Sequence, residues 1–138
     1  MEKLYVQEPW FSLIRSGSKT VEGRKGTLED FKNFKNTFIL IKQSLTLDAT
    51  GQVVNPNEYL DSFEVFCYDI VHYKDVDSYL WGEGIRQAAP HCTSFAHAQD
   101  LYSGVVKPSG EQVFAPIDVQ RRGGICALRL VVTTQKKL

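Results

Sequence analysis

Eight consecutive residues, Gly17-Ser18-Lys19-Thr20-Val21-Glu22-Gly23-Arg24, bring an amine, a carboxylate and a guanidinium within six positions of one another. Side chains two apart in an extended stretch share a face, so Glu22 and Arg24 project together while Lys19 leaves from the turn before them. Such a cluster suits binding. Arg24 offers a planar fork of donors to a phosphate or a base edge, and Lys19 a mobile point charge. Glu22 either accepts from an exocyclic amine or orients Arg24. Lys25, Tyr5, Trp10 and Tyr79 add charge and flat faces, the combination that recognition of single-stranded or flipped bases requires. The cluster also suits catalysis, because a lysine whose pKa is lowered by burial and by a neighbouring arginine can act as base or nucleophile while a carboxylate manages protons. The plainest reading is a Glu22–Arg24 ion pair that holds the first helix in place, with Lys19 in solvent.

These side chains need a frame. Leu4 to Gln7 is a short β-prone run, and Glu8-Pro9 then opens a helix with apolar residues at helical spacing, Trp10, Leu13 and Ile14. Gly17 ends it, since glycine tolerates the left-handed backbone just past a helix. The motif therefore starts at a helix C-terminus and runs into a strand. Thr27 to Phe31 reads as a short capped helix, and the apolar run Thr37 to Ile41 as a strand buried on both sides or set in a barrel wall. Asp48 to Asn57 is a turn-rich connection. Ser62 to Tyr73 alternates and is rich in aromatic and β-branched residues, which predicts a long central strand.

After Asp75 the texture becomes helical, with pieces over Asp77 to Trp81, Gly84 to Ala89 and Ser94 to Tyr102, Ser94 serving as a cap. Lys107 to Gly110 is a turn and Glu111 to Arg122 a connection or weak strand. Gly123-Gly124 introduces the closing strand Ile125 to Thr133, followed by a frayed tail at Gln135 to Leu138. Strands, then short helices, then a last strand predict an α+β fold, a twisted and mostly antiparallel β-barrel flanked by short helices, with residues 1–138 as one domain.

The bulk properties narrow the function. A chain of 138 residues with 43% hydrophobic content suffices for one core. Sixteen basic residues balance sixteen acidic ones, so a polyanion site has to be a local patch. Cys67, Cys92 and Cys126 have no CxxC spacing and suit reduced thiols. No apolar run reaches membrane-span length and Met1-Glu2-Lys3-Leu4 lacks a signal-peptide layout, so a soluble intracellular protein with no membrane partner is expected.

Other constellations carry less. His91, Cys92 and His97 lie close together but need distant Cys67, Cys126 or His72 to complete a metal site, so no metal and no cofactor is expected. Phe63, Phe66, Tyr68 and Tyr73 could stack bases, although a barrel core asks for them at the same alternating positions. Arg121-Arg122 is a basic pair that either grips phosphate or is simply solvated. The absence of a nucleophile elbow, a phosphate-binding glycine loop and a dinucleotide fingerprint excludes the serine hydrolase, nucleotide triphosphatase and dehydrogenase classes.

The spacing Gly17-x-Lys19-x-x-Glu22-x-Arg24 resembles the signature of the ASCH domain family of the PUA-like superfamily. The likeness extends to Pro9-Trp10, to Leu80-Trp81-Gly82-Glu83-Gly84, to the helix carrying Tyr102 and to Gly124-Ile125-Cys126-Ala127-Leu128. The chain departs from the family in reading Lys35-Asn36 before the strand at Thr37, and in an insert from Leu45 to Tyr59. The resemblance implies a PUA-like barrel and a ligand cleft on the motif that takes RNA or a modified nucleoside. As a second reading it implies an amidohydrolase, because small bacterial ASCH proteins deacetylate N4-acetylcytidine with a Lys, a Thr three residues later and a Glu. The Lys maps onto Lys19 and the Glu onto Glu83, but Glu22 stands where the Thr would be, and Thr20 reaches that role only through a slipped register. On this reading Lys19 or Glu22 activates water and Glu83 donates the proton. A third implication is an adaptor surface for a protein partner. The sequence names neither the natural ligand nor an oligomeric state.

Overall fold

Alternation builds the first strand: in β1 (Glu2–Val6) Leu4 and Val6 are buried while Lys3 and Tyr5 are exposed. The computed structural model describes residues 1–44, 61–107 and 109–133. Helix α1 (Trp10–Arg15) follows, and the Glu8 carboxylate accepts from the Ser12 backbone N–H at 3.0 Å and from its hydroxyl at 2.7 Å at the helix start. Phe11 and Ile14, three apart on one face, are fully buried, each contributing roughly 1.5–3 kcal/mol of apolar transfer. Strands β2 (Val21–Lys25) and β3 (Thr37–Gln43) come next, then the long β4 (Ser62–Tyr73). Helices α2 (Val76–Glu83), α3 (Ile85–Ala88), α4 (Phe95–Ser103) and α5 (Pro116–Arg121) precede the closing strand β5 (Ile125–Val132).

The strands form one sheet in the order β1-β3-β4-β5-β2, with β4 at its centre. Its pairings are antiparallel except for β1 beside β3, which is parallel. The expected barrel is thus an α+β half-barrel, a curled mixed sheet whose edge strands are β1 and β2. One core cluster packs α1 into its hollow against Ile39, Ile41, Val65 and Leu128. A second packs α2, α3 and α4 against Val21, Ile125 and Ala127. Strand β5 feeds both clusters with alternate residues, which is why Ile125 to Leu128 is a continuous buried run.

Two expectations change and one narrows. For strand β3 the barrel-wall alternative holds and burial on both sides does not, for Phe38 is 47% exposed and meets Phe66 edge-on at 5.1 Å on the outer side. Thr27 to Phe31 is a chain of turns, not a helix. Thr27 and Asp30 exchange cap hydrogen bonds, but the backbone bonds that follow, Phe31 to Leu28 and Phe34 to Phe31, span three residues and bring Phe31 and Phe34 onto the core. The weak strand proposed before Arg122 is helix α5, whose start is marked by Pro116 at its first position and Asp118 in its first turn. Among the aromatic residues of β4 Phe63 is core and Tyr73 packs half-buried against the second cluster, while Phe66 lies on the outer side and Tyr68 is 46% exposed.

The turn-rich Asp48 to Asn57 connection, the Leu45 to Tyr59 insert and the Gln135 to Leu138 tail lie outside the described residues. Ser94 does cap α4, accepting from the His97 N–H at 3.0 Å. Cys67, Cys92 and Cys126 are free thiols. Among the described residues no helix is long and apolar enough to cross a membrane.

Candidate functional site

The motif begins where α1 stops. Gly17 takes a φ of +85°, its N–H donates to the Ile14 carbonyl at 3.0 Å, and the Lys19 N–H donates back to Leu13 at 2.9 Å. This left-handed cap reverses the chain and sends Lys19 inward. Its side chain is 1% exposed, and Nζ donates to the carbonyls of Val21 and Ala88, each at 2.5 Å. Nζ also stands 3.6 Å from Glu22 Oε1 and 4.8 Å from the centre of the Trp10 ring. Burial pulls its pKa down to about 8, against the opposing pull of Glu22 and with a smaller push from Arg24. Lys19 is therefore a buried amine, not the solvated one of the simple ion-pair reading.

Glu22 and Arg24 share one face of β2. Arg24 Nε donates to Glu22 Oε2 at 3.1 Å, and its Nη2 donates to the Tyr5 carbonyl at 2.6 Å. Tyr5 belongs to β1, at the opposite edge of the sheet. The curl of the sheet thus brings its two edges together, and the Arg24 side chain bridges the seam that no backbone ladder closes.

A cleft of about 360 Å³ opens at this seam, floored by Glu22, Gly23 and Arg24. Trp10, Tyr102 and Phe114 form an aromatic wall, with successive ring centres 5.4 and 5.1 Å apart. Lys25, Lys107 and Arg122 line the remainder, so four cations and one carboxylate face a small space in a chain of zero net charge. Lys25 is paired with Asp118 of α5. Lys107 rides on a small hairpin, in which Val113 donates to the Val105 carbonyl at 2.9 Å and Lys107 to that of Glu111 at 2.9 Å. Tyr5 also lines the cleft and is 57% exposed.

Of the candidate residues, the fold brings together Tyr5, Trp10, Glu22, Arg24 and Lys25 in the cleft, with Lys19 directly beneath Glu22. Tyr79 and Glu83 do not join them. Tyr79 is fully buried under Gly23, and its hydroxyl lies 3.0 Å from that of Tyr102. Glu83, its side chain 2% exposed, accepts two bonds from Arg129 at 3.0 Å and one from the Tyr73 hydroxyl at 2.6 Å, and neither Lys19 nor Glu22 is a partner. Sequence reasoning treated Arg122 only as one of a basic pair and gave Tyr102, Lys107 and Phe114 no place in the site. The sequence marks the helix that carries Tyr102, but no local pattern marks Phe114 or Lys107 as cleft residues.

Among the described residues no three His, Cys, Asp or Glu side chains converge on a point. His91 instead packs edge-on to Trp10 at 5.1 Å, and the His97 ring accepts from the Thr93 N–H at 3.3 Å.

The same fold occurs in hypothetical protein PH0355, solved by crystallography, at 20% identity and a TM-score of 0.64, covering 96% of this chain and all of that one. It occurs again in protein PF0455 from Pyrococcus furiosus, solved by NMR, at 18% identity and a TM-score of 0.58, covering 97% and 98% of the two chains. No curated protein matches the chain. The family model for the ASCH domain matches residues 4–92, more than half of the sequence, including Lys19, Glu22 and Arg24 and ending before the hairpin and α5. That match spanning more than half of the sequence and containing the motif, the chain belongs to the ASCH domain family.

Proposed function

We propose that this protein binds single-stranded RNA or a modified nucleoside by taking one base into the seam cleft. The observation that carries this reading is the composition of the cleft: a carboxylate and a guanidinium side by side on the floor, aromatic rings on one wall and cations around them. Glu22 can accept from an exocyclic amine and Arg24 can donate to a ring nitrogen or carbonyl, while Lys107 and Arg122 attract phosphate. A volume of about 360 Å³ suits one small ligand rather than a duplex. Membership of a family generally linked to RNA binding supports the same reading.

The experiment is fluorescence-anisotropy titration with short unstructured RNAs and free nucleosides over a series of salt concentrations. Binding should weaken as salt rises, and both Arg24→Ala and Glu22→Gln should lose at least about tenfold in affinity while keeping the native circular dichroism spectrum. Salt-independent binding, or binding indifferent to both changes, would count against the cleft.

One observation favours a second reading, an amidohydrolase acting on N4-acetylcytidine: the buried Lys19 amine, with its pKa down to about 8, lies beside a carboxylate. Against it, Lys19 Nζ is held by two carbonyls and Glu83 is committed to Arg129 and Tyr73. Incubation with N4-acetylcytidine decides between the two. Acetate release abolished in Lys19→Ala would establish the hydrolase, and tight binding without release the binding module.

A further inference from the structure

A second cavity, of about 590 Å³, lies between the start of α2, helix α4 and helix α5. Tyr102 and Phe114 line both this cavity and the seam cleft, so the two spaces are neighbours divided by an aromatic partition. The rings of the partition are 5.1 Å apart at their centres. Val76, Pro116 and Val119 make the second cavity largely apolar, while Lys74, Asp77 and Gln120 add polar groups. Both volumes fall within the roughly 300–1,000 Å³ of ordinary ligand sites.

The two cavities differ in charge. In the seam cleft Lys25 is paired with Asp118 and Lys107 with Glu111 at 3.0 Å, which leaves Arg122 and the Arg24 Nη1 group to meet an anion, whereas Lys74 lines the second cavity together with Asp75 and Asp77. Asp75 is engaged by the Ser78 N–H at 2.8 Å and Asp77 by the Gln99 amide at 3.0 Å. The second cavity therefore favours a flat uncharged ring over a phosphate. Two base-sized spaces on either side of one aromatic wall, with the cations on one side, match the needs of two successive nucleotides. An apolar side chain inserted between adjacent bases separates them and stacks on both, and every base has a face for such stacking.

We infer that half-buried Phe114, backed by the buried Tyr102 ring, is a wedge: one base of a single strand enters the seam cleft, the next enters the second cavity, and the phosphate joining them meets the cations of the cleft. This inference rests on the reading of the seam cleft as a base site and adds a second subsite to it. The partition and Gln120 lie beyond residues 4–92, so the part of the chain outside the family match supplies one side of the second subsite, and Lys74 to Asp77 inside the match supply the other.

The test compares the four ribonucleoside monophosphates with the sixteen ribodinucleotides by calorimetry on the full chain, for the wild type and for Gln120→Trp. Gln120 is an exposed α5 residue, and a tryptophan there would fill the second cavity. The expected result is a best dinucleotide bound about tenfold tighter than the best mononucleotide, a gain that Gln120→Trp abolishes while leaving mononucleotide affinity within about twofold. Unchanged mononucleotide binding also certifies that the variant is folded. Equal affinity for the two ligand classes in the wild type, or a gain that survives Gln120→Trp, overturns the wedge and leaves the seam cleft standing. Absence of binding by mononucleotides and dinucleotides alike overturns both.

Discussion

Two arginine–glutamate pairs lie close together in this molecule and do opposite things. Arg129 on β5 gives Nε and Nη2 to Glu83 at 3.0 Å each and Nη1 to Asp69 at 3.2 Å, while the Tyr73 hydroxyl completes the Glu83 shell. In that network each of the three guanidinium nitrogens of Arg129 has a carboxylate partner. The network holds the Arg129 pKa above the ordinary arginine value through the Glu83 bond, and burial together with Glu83 pushes the Tyr73 hydroxyl up to about 12. Arg24 on β2 gives Nε to Glu22 and Nη2 to the Tyr5 carbonyl, and among the described residues none accepts from its Nη1. The same two residue types thus form a closed strut in one place and an open pair facing a cleft in the other. Bonding capacity left over, not residue type, distinguishes a site from a brace.

The largest expected effect falls on the strut. Arg129→Met leaves the Glu83 carboxylate nearly buried without its guanidinium, which should cost roughly 3–5 kcal/mol in urea unfolding. RNA affinity per folded molecule should stay unchanged. A stability loss below about 1 kcal/mol would erase the contrast between the two pairs.

The floor of the cleft comes next. An alanine Cβ at position 23 would lie 2.7 Å from Tyr79 Cζ, inside the buried Tyr79–Tyr102 pair. Gly23→Ala should therefore cost about 1–3 kcal/mol by overpacking, read as a lowered melting temperature. An unaffected melting temperature would mean that the seam tolerates displacement of β2 from α2.

For the open pair, Arg24→Lys keeps the charge and loses the fork. It should weaken RNA binding by about tenfold, a deficit that lowering the salt concentration does not repair, because the missing element is geometry rather than charge. Restoration of full affinity at low salt would reduce Arg24 to a point charge.

The smallest effect is a pH dependence from Lys19. Its folded pKa, about 8, lies below the ordinary lysine value of 10.5, so above pH 8 the unfolded chain binds more protons than the native one at this group. Its desolvation cost is complete below pH 8 and is relieved as pH rises towards 10.5. Measured against Lys19→Met, which removes this titration and leaves the thiols and tyrosines common to both proteins, wild-type stability should gain about 1 kcal/mol between pH 7.5 and 9. A constant difference over that window would place the Lys19 amine in contact with water.

Much of this architecture is written locally. The bounds of β4, the Ser94 cap and the Gly17 stop follow from period, hydrogen-bonding side chains and backbone sterics, all of which act over a few residues. The motif likewise marked its own strand and the shared face of Glu22 and Arg24. Helix α5 was also legible in Pro116 and Asp118, and its misreading as a connection or weak strand reflects how little pattern six residues carry.

What the tertiary structure decided is where those groups meet. Lys19 is buried because the Ala88 carbonyl, 69 residues away, receives its amine. Arg24 faces the Tyr5 carbonyl because the sheet curls until its first and last strands approach, and Tyr79 lies beneath Gly23 instead of in the cleft because α2 packs on β5. The sequence by itself determined which residues carry charge and where strand β4, the end of α1 and the start of α4 lie, but not the turns at Thr27 to Phe31 or helix α5. Whether a charge ends as a strut, a buried amine or an open donor depends on contacts between segments far apart in the chain, and no local period encodes those.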